Sequence, residues 1–228
     1  MDNLTIPILV GAAIVDSINP CAFGVLFFLL AYLFKNNNSK KLVLLHGFLY
    51  ITAVFLTYLL AGLFLLPFLS GLGGTSQVIY IFIGSILVIF GLLEIKDFFF
   101  YGKGFSLGIL PSASKRIQMM VQHIEGKLST SFILGIFVAL VELPCTGVVY
   151  LGVLALVSLS GLDANNFLLL VLYNFLFVLP LIVILILVSK GNDIEKLEEW
   201  RKKHRGLMRL AIGTLLIIMG AWMINFVI

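Results

Sequence analysis

Apolar residues run along this chain in six long blocks, 6–34, 42–68, 77–100, 131–160, 165–189 and 206–228, separated by polar stretches. A helix needs roughly 20 mostly apolar residues to cross a bilayer, and every block reaches that length. The pattern predicts six transmembrane helices in a single membrane domain over 1–228. The largest piece left outside, 101–130, is too short to fold as an independent domain. Within it, residues 112–128 place Ile117, Met120, Val121, Ile124 and Leu128 on one helical face, with Lys115, Arg116 and Lys127 elsewhere. That spacing predicts an amphipathic helix lying in the membrane plane. Glu198–Lys202 and Glu199–Lys203 are i,i+4 pairs, so a short solvated helix is expected before the sixth span. Gly102, Gly104 and Gly108 follow no strand, and no phosphate-binding loop is implied.

Composition supports the pattern. The chain is 61% hydrophobic and 11% charged, against about 45–50% and about 25% in soluble domains. A soluble enzyme of 228 residues could not bury so much apolar surface. Asp2 and the absence of a basic residue before the first block argue against a cleaved signal, so that block reads as a retained helix. The net charge of +4 raises the question of a nucleic-acid partner, and its distribution answers no. All 15 Lys and Arg lie between the first and second, third and fourth, or fifth and sixth helices, the last at a helix start, and none near 69–76 or 161–164. This is the positive-inside pattern, and it places both termini on the extracytoplasmic side of the membrane.

The blocks repeat. Pro20-Cys21-Ala22-Phe23-Gly24 in the first is answered by Pro144-Cys145-Thr146-Gly147 in the fourth. Ile83–Gly91 in the third is answered by Ile212–Gly220 in the sixth, and Phe48-Leu49-Tyr50 weakly by Phe175-Leu176-Phe177. Three helices per half is an odd number, so the halves start from opposite sides. The expected fold is therefore all-α and integral to the membrane, with six transmembrane helices as two inverted-topology three-helix repeats. Repeat one covers 1–100, with a cytosolic loop 101–130, and repeat two covers 131–228.

Cys21 and Cys145 are the two cysteines of the chain, each preceded by Pro and each near the middle of its block. Pro in a helix interior removes a hydrogen bond and clashes with the preceding turn. Both helices are expected to break there, which lipid permits only where the backbone is buried or lines a cavity. A helix restarting after Pro aims its amide dipoles at the cysteine and favours the thiolate. Two such thiols could form a disulfide, bind a soft metal or anchor a covalent intermediate. A soft cation wants several soft ligands, but Met119, Met120, Met208, Met219 and Met223 lie far from the cysteines or in loops. His123 and His204 are in loops, and His46 is near a cytosolic helix end. No Cys-x-x-Cys occurs, which disfavours a thiol oxidase of that type. Reversible disulfide chemistry fits best, with no resident metal or other cofactor.

Polar residues at depth require a role or a partner. Asp16 and Glu142, five and three residues before their cysteines, are candidate proton relays. Asn19, Thr146 and Asn174 are expected to satisfy backbone amides freed at the breaks. Gly24, Gly147 and Pro180 are candidate bending points, and Glu94 is expected to snorkel or to pair with Lys96.

Asn19-Pro20-Cys21-Ala22-Phe23 and Glu142-Leu143-Pro144-Cys145-Thr146-Gly147 resemble the paired motifs of CcdA, the cytochrome c biogenesis family related to the central membrane domain of the thiol reductase DsbD. Tyr101-Gly102-Lys103-Gly104-Phe105 after the third helix also resembles that family, and the resemblance covers essentially the whole chain. It implies electron transfer from cytosolic thioredoxin, across the plasma (inner) membrane, to an extracytoplasmic thioredoxin-like acceptor in support of cytochrome c maturation. Cys21 and Cys145 would be the redox pair, and the 112–128 helix would help dock thioredoxin. The alternative from another class is a transporter of a soft metal or small thiol using the same cysteines.

Overall fold

The computed structural model describes residues 5–18, 20–35, 39–71, 77–100, 111–122, 127–142, 147–158, 164–190 and 194–227. Among them every regular element is a helix. In chain order these are α1 (Thr5–Ser17), α2 (Pro20–Lys35), α3 (Lys40–Gly71), α4 (Gln77–Phe99), α5 (Pro111–Gln122), α6 (Leu128–Val141), α7 (Val148–Ser158), α8 (Ala164–Ser189) and α9 (Ile194–Val227). Pro20 and Pro111 are the first residues of α2 and α5, where a missing N–H costs nothing and the fixed φ suits a helix start. Pro67 and Pro180 lie inside α3 and α8, which run through them.

Among the described residues, three helical stretches are long and apolar enough to cross a bilayer by themselves: Lys40–Pro67 in α3, Phe167–Ser189 in α8 and Lys196–Asn225 in α9. Leu9–Ser17 and Ala22–Lys35, bent by 41° at the break between α1 and α2, make a fourth if taken as one span. Phe48, Phe64, Phe82, Leu168 and Ile218 are each more than half exposed, while Leu26, Leu30, Leu134, Leu154, Leu170 and Leu216 are fully buried. Large aromatic and aliphatic side chains pointing outward at this density need an apolar solvent. The protein is an integral membrane protein.

The most extensive helix pairing joins α4 to α9, antiparallel and through glycines. A Cβ at Gly84 would stand 2.9 Å from the carbonyl oxygen of Gly220, and one at Gly220 would stand 2.6 Å from that of Gly84. Gly91 and Gly213 meet in the same way, at 2.7 and 2.8 Å. Small residues let helix backbones approach closely in a membrane, where packing replaces hydrophobic drive. These four glycines are the ones shared by the matching segments 83–91 and 212–220. The contacts are reciprocal: exchanging the two segments carries each glycine pair onto the other. α3 and α6 run side by side, with Gly135 seated on the Tyr50 carbonyl and the Ala53 methyl. His46 Nδ1 lies 2.6 Å from Ser131 Oγ at their starts.

Several boundaries differ from the expectations. The Glu198–Lys202 pair forms, at 2.9 Å, but within the opening turns of α9, not on a separate helix. α9 is continuous because nothing between Ile194 and Val227 breaks it; Gly206 fits because it faces the Phe98 ring. Of the amphipathic segment expected over 112–128, the described part is α5, which runs to Gln122, while Leu128 opens α6; residues 123–126 lie outside the described residues. Ile117 and Val121 are its buried face, and Tyr32 of α2 donates a hydrogen bond to the Gln122 carbonyl at 3.0 Å.

Glu94 does not snorkel. It is buried with Asp97, and both carboxylates accept from Nη1 of buried Arg209 on α9, at 3.3 and 2.5 Å, while Lys96 pairs with Asp97 at 2.9 Å. Arg209 sits where it can neutralise two acids at the end of the glycine contact, so the α4–α9 pair carries an internal counter-charge.

Candidate functional site

A helix ends shortly before each Pro-Cys motif. α1 ends at Ser17 and α2 restarts at Pro20; α6 ends at Val141 and α7 starts at Val148. The ends are closed locally. Ser17 Oγ donates to the Ile14 carbonyl at 2.7 Å, the Ile18 N–H to the Val15 carbonyl at 3.3 Å, and the Glu142 N–H to the Val138 carbonyl at 2.8 Å. Cys21 is the second residue of α2, just past the first break. Asn19, Pro144, Cys145 and Thr146 lie outside the described residues.

A buried carboxylate stands at each break. Asp16 is in the last turn of α1, and Glu142 caps α6; both are essentially inaccessible. Asp16 Oδ2 accepts a hydrogen bond from the Tyr173 hydroxyl of α8 at 2.8 Å, so α8 is tied to the end of α1. Its Oδ1 has no hydrogen-bond partner among the described residues. A buried acid with one oxygen satisfied and one idle can hold or release a proton without rearranging its anchor.

Around this anchor lies a set of tyrosines that the pattern of apolar blocks did not reveal. The Tyr173 and Tyr150 ring centroids are 5.4 Å apart, and Tyr58 packs edge-on against Tyr150 at 5.7 Å and against Phe177 at 5.1 Å. The Tyr150 hydroxyl donates to the Tyr58 carbonyl at 2.8 Å and accepts from Asn174 Nδ2 at 3.3 Å. Asn174 also donates to the Leu170 carbonyl of its own helix at 2.8 Å. Its amide nitrogen therefore serves a hydroxyl and a carbonyl, and among the described residues its Oδ1 accepts from no backbone amide. The legible signal was Tyr173-Asn174 as a polar doublet inside an otherwise apolar block.

The bending candidates behave differently from one another. α2 runs uninterrupted through Gly24 and α8 through Pro180, whereas Gly147 is buried immediately before α7. Gly24 makes room for a neighbour: a Cβ there would lie 2.8 Å from Arg201 Nη1. Beside it a cavity of about 530 Å³ opens between α2, α8 and the start of α9. It is lined by Ile18, Phe23, Phe27, Pro180, Trp200 and Arg201, among others. It reaches from the first break to the segment where α9 begins.

A helical membrane protein with a bent first helix pair and a buried acid beside the bend is the class this architecture defines. The chain belongs to the family described as Sap, sulfolipid-1-addressing protein, whose model matches residues 9–226. It is also 30% identical over 210 residues to the thiol:disulfide interchange protein DsbD of Haemophilus ducreyi. That alignment covers 87% of this chain and 34% of the relative, so the chain spans about a third of the curated protein it matches. The likeness supports a DsbD-like transmembrane family; the matching family model is not that of CcdA specifically. No solved structure matches.

Proposed function

We propose that this protein passes reducing equivalents across the plasma membrane by thiol–disulfide exchange at Cys21 and Cys145. The observation that carries the reading is the likeness to DsbD over 210 residues, 87% of this chain. The broken helix and buried acid before each motif support it. The full arrangement we favour is six spans in two inverted repeats with both termini outside, and the reciprocal glycine contacts between α4 and α9 support that symmetry.

In the proposed cycle, a thiolate of reduced cytosolic thioredoxin attacks one sulfur of a Cys21–Cys145 disulfide, forming a mixed disulfide and freeing the other cysteine. The second thioredoxin thiol then attacks the first thioredoxin sulfur in that mixed disulfide and displaces the membrane cysteine as its thiolate. Thioredoxin leaves oxidised, and the membrane pair has gained two electrons and two protons. An extracytoplasmic thioredoxin-like acceptor reverses these steps, and in a cytochrome c maturation role it would keep apocytochrome thiols reduced. A potential drop from about −270 to about −180 mV releases roughly 4 kcal/mol for two electrons. Asp16 and Glu142, buried acids close in sequence to the two cysteines, take up and return the protons in this reading. The pair meets protein partners on both sides by alternating access, with the two halves rocking around the breaks.

The test is a trap. Cys145→Ser, mixed with thioredoxin that lacks its resolving cysteine and carries the remaining one as a thionitrobenzoate mixed disulfide, should release thionitrobenzoate and give a disulfide-linked adduct through Cys21 or, for Cys21→Ser, through Cys145. Absence of an adduct from both variants overturns exchange with thioredoxin. A second reading is favoured by the family description and by the apolar cavity beside Pro180: passage of a lipid. Under it, both single-cysteine variants keep full lipid transfer.

A further inference from the structure

We infer that Arg201 is a positioning residue for Cys21: its guanidinium, laid on the opening turns of α2, is the fixed positive charge that favours the Cys21 thiolate. The inference rests on the exchange reading above, but it concerns the acidity of one thiol, which is measurable with no partner present.

In sequence Arg201 belongs to the basic run Arg201–Arg205 and reads as one more cytosolic charge. The structure separates it from its neighbours. Lys202 and Lys203 are exposed, whereas the Arg201 side chain is only 15% accessible and reaches inward to α2. A Cβ at Gly24 would stand 2.8 Å from Nη1, 3.5 Å from Cζ and 3.8 Å from Nη2, so the guanidinium lies against bare backbone. Any larger residue at 24 would have to push it away.

Gly24 follows Cys21 by three residues in α2, so the two positions share a face nearly one turn apart. An arginine stays charged at every pH a protein experiences. Its field adds to that of the α2 N-terminus, which begins at Pro20.

The other charged groups do not replace it. The elements most extensively packed on α2 are α3, α5, α6, α8 and α9; the end of α1 and the cap of α6 bring the buried acids Asp16 and Glu142, which supply no positive charge. α6 carries no titratable side chain, and α8 offers Tyr173, already committed to Asp16. On α3 the charges are Lys40, Lys41 and His46 at its start, with Tyr50 and Tyr58 further along. Lys115 and Arg116 belong to α5, which meets α2 at Tyr32, far along the helix. On α9, Glu198 lies 3.8 Å from Arg201 but 2.9 Å from Lys202, so its charge is shared. Arg205 lies one turn further along the same helix.

The experiment uses the full chain in nanodiscs with Cys145→Ser, so that Cys21 is the sole thiol. Its alkylation rate by iodoacetamide is followed against pH to give its pKa. The parent should titrate below the ordinary thiol value of about 8.5. Arg201→Gln should raise the pKa by about one unit, roughly a tenfold loss of thiolate at neutral pH. Arg201→Lys should keep most of the low value. Lys203→Gln makes the same change in net charge at an exposed site and should leave the pKa unmoved.

Gly24→Ala, which removes no charge but displaces the guanidinium, should raise the pKa in the same direction. An unchanged pKa in Arg201→Gln, or an equal shift from Lys203→Gln, overturns the inference. Where Arg201→Gln does not fold, Gly24→Ala decides, and an unshifted titration there overturns it. If the shift is found but no partner adduct forms, the exchange reading fails and the role of Arg201 stands; the converse result separates them the other way.

Discussion

Replacing Arg209 by Met should be among the most damaging single changes in the protein. Arg209 is 1% exposed, and its Nη1 alone serves Glu94 at 3.3 Å and Asp97 at 2.5 Å, both of them buried. Met fills similar volume without a charge, so packing is largely kept and the electrostatic consequence is isolated. The two carboxylates, three residues apart on α4, then keep only Lys96, which pairs with Asp97 at 2.9 Å, and the nearby charge of Arg205, which acts on Glu94. Breaking a buried pair by removing one partner costs about 3–5 kcal/mol, because the remaining charge stays desolvated.

The assay is denaturant unfolding in a fixed micelle, read by tryptophan fluorescence. Arg209→Met should lose about 3–5 kcal/mol. Arg209→Lys should lose less, since a single nitrogen makes both contacts and an ammonium can stand in its place. The triple change Glu94→Gln, Asp97→Asn, Arg209→Met removes all three charges and should recover most of the loss. A loss under about 1 kcal/mol for Arg209→Met, or no recovery in the triple variant, would refute the reasoning.

Other predictions follow from the same geometry. Gly84→Leu and its counterpart Gly213→Leu should destabilise by similar amounts, about 1–3 kcal/mol, because each side chain would enter a reciprocal backbone contact; unequal effects in unfolding measurements would argue against the local two-fold relation. Tyr173→Phe removes the hydrogen bond to Asp16 and should cost about 1.5–3 kcal/mol in the same unfolding measurement, as for a hydrogen bond to a charged group. Cysteines introduced at Gly73 or Asp163 in a Cys-free background should label with an impermeant maleimide from outside, and those at Lys40 or Lys202 only after the membrane is opened; the reverse pattern would overturn the orientation.

The helical character and the membrane setting were legible because both follow from single-residue properties summed along a block. The break before Cys21 was legible too, since Pro20 and its missing N–H act locally, and Asp16 stood out as an acid inside an apolar run. What could not be read was partnership across helices. Arg201 and Arg209 look alike in sequence, two cations in one basic segment, yet one lies against Gly24 on α2 and the other closes a pair of acids on α4. That difference depends on the register of α9 against two other helices, which no local pattern encodes. The tyrosines were overlooked for a related reason. Tyr58, Tyr150 and Tyr173 count as apolar residues along a block, and their hydroxyls acquire meaning only where α1, α3, α7 and α8 meet. Glu94 was assigned to the nearest cation in sequence, whereas its partner is 115 residues away.

The reactivity proposed here requires that Cys21 and Cys145 close into a disulfide, which demands Cα atoms roughly 4.4–6.8 Å apart. The direct measurement is thiol labelling of the purified protein, denatured after mild oxidation and again after reduction, with the mass of the intact chain as readout. The exchange account predicts no label on the oxidised chain and two labels after reduction. Two labels on the chain after oxidation would contradict it.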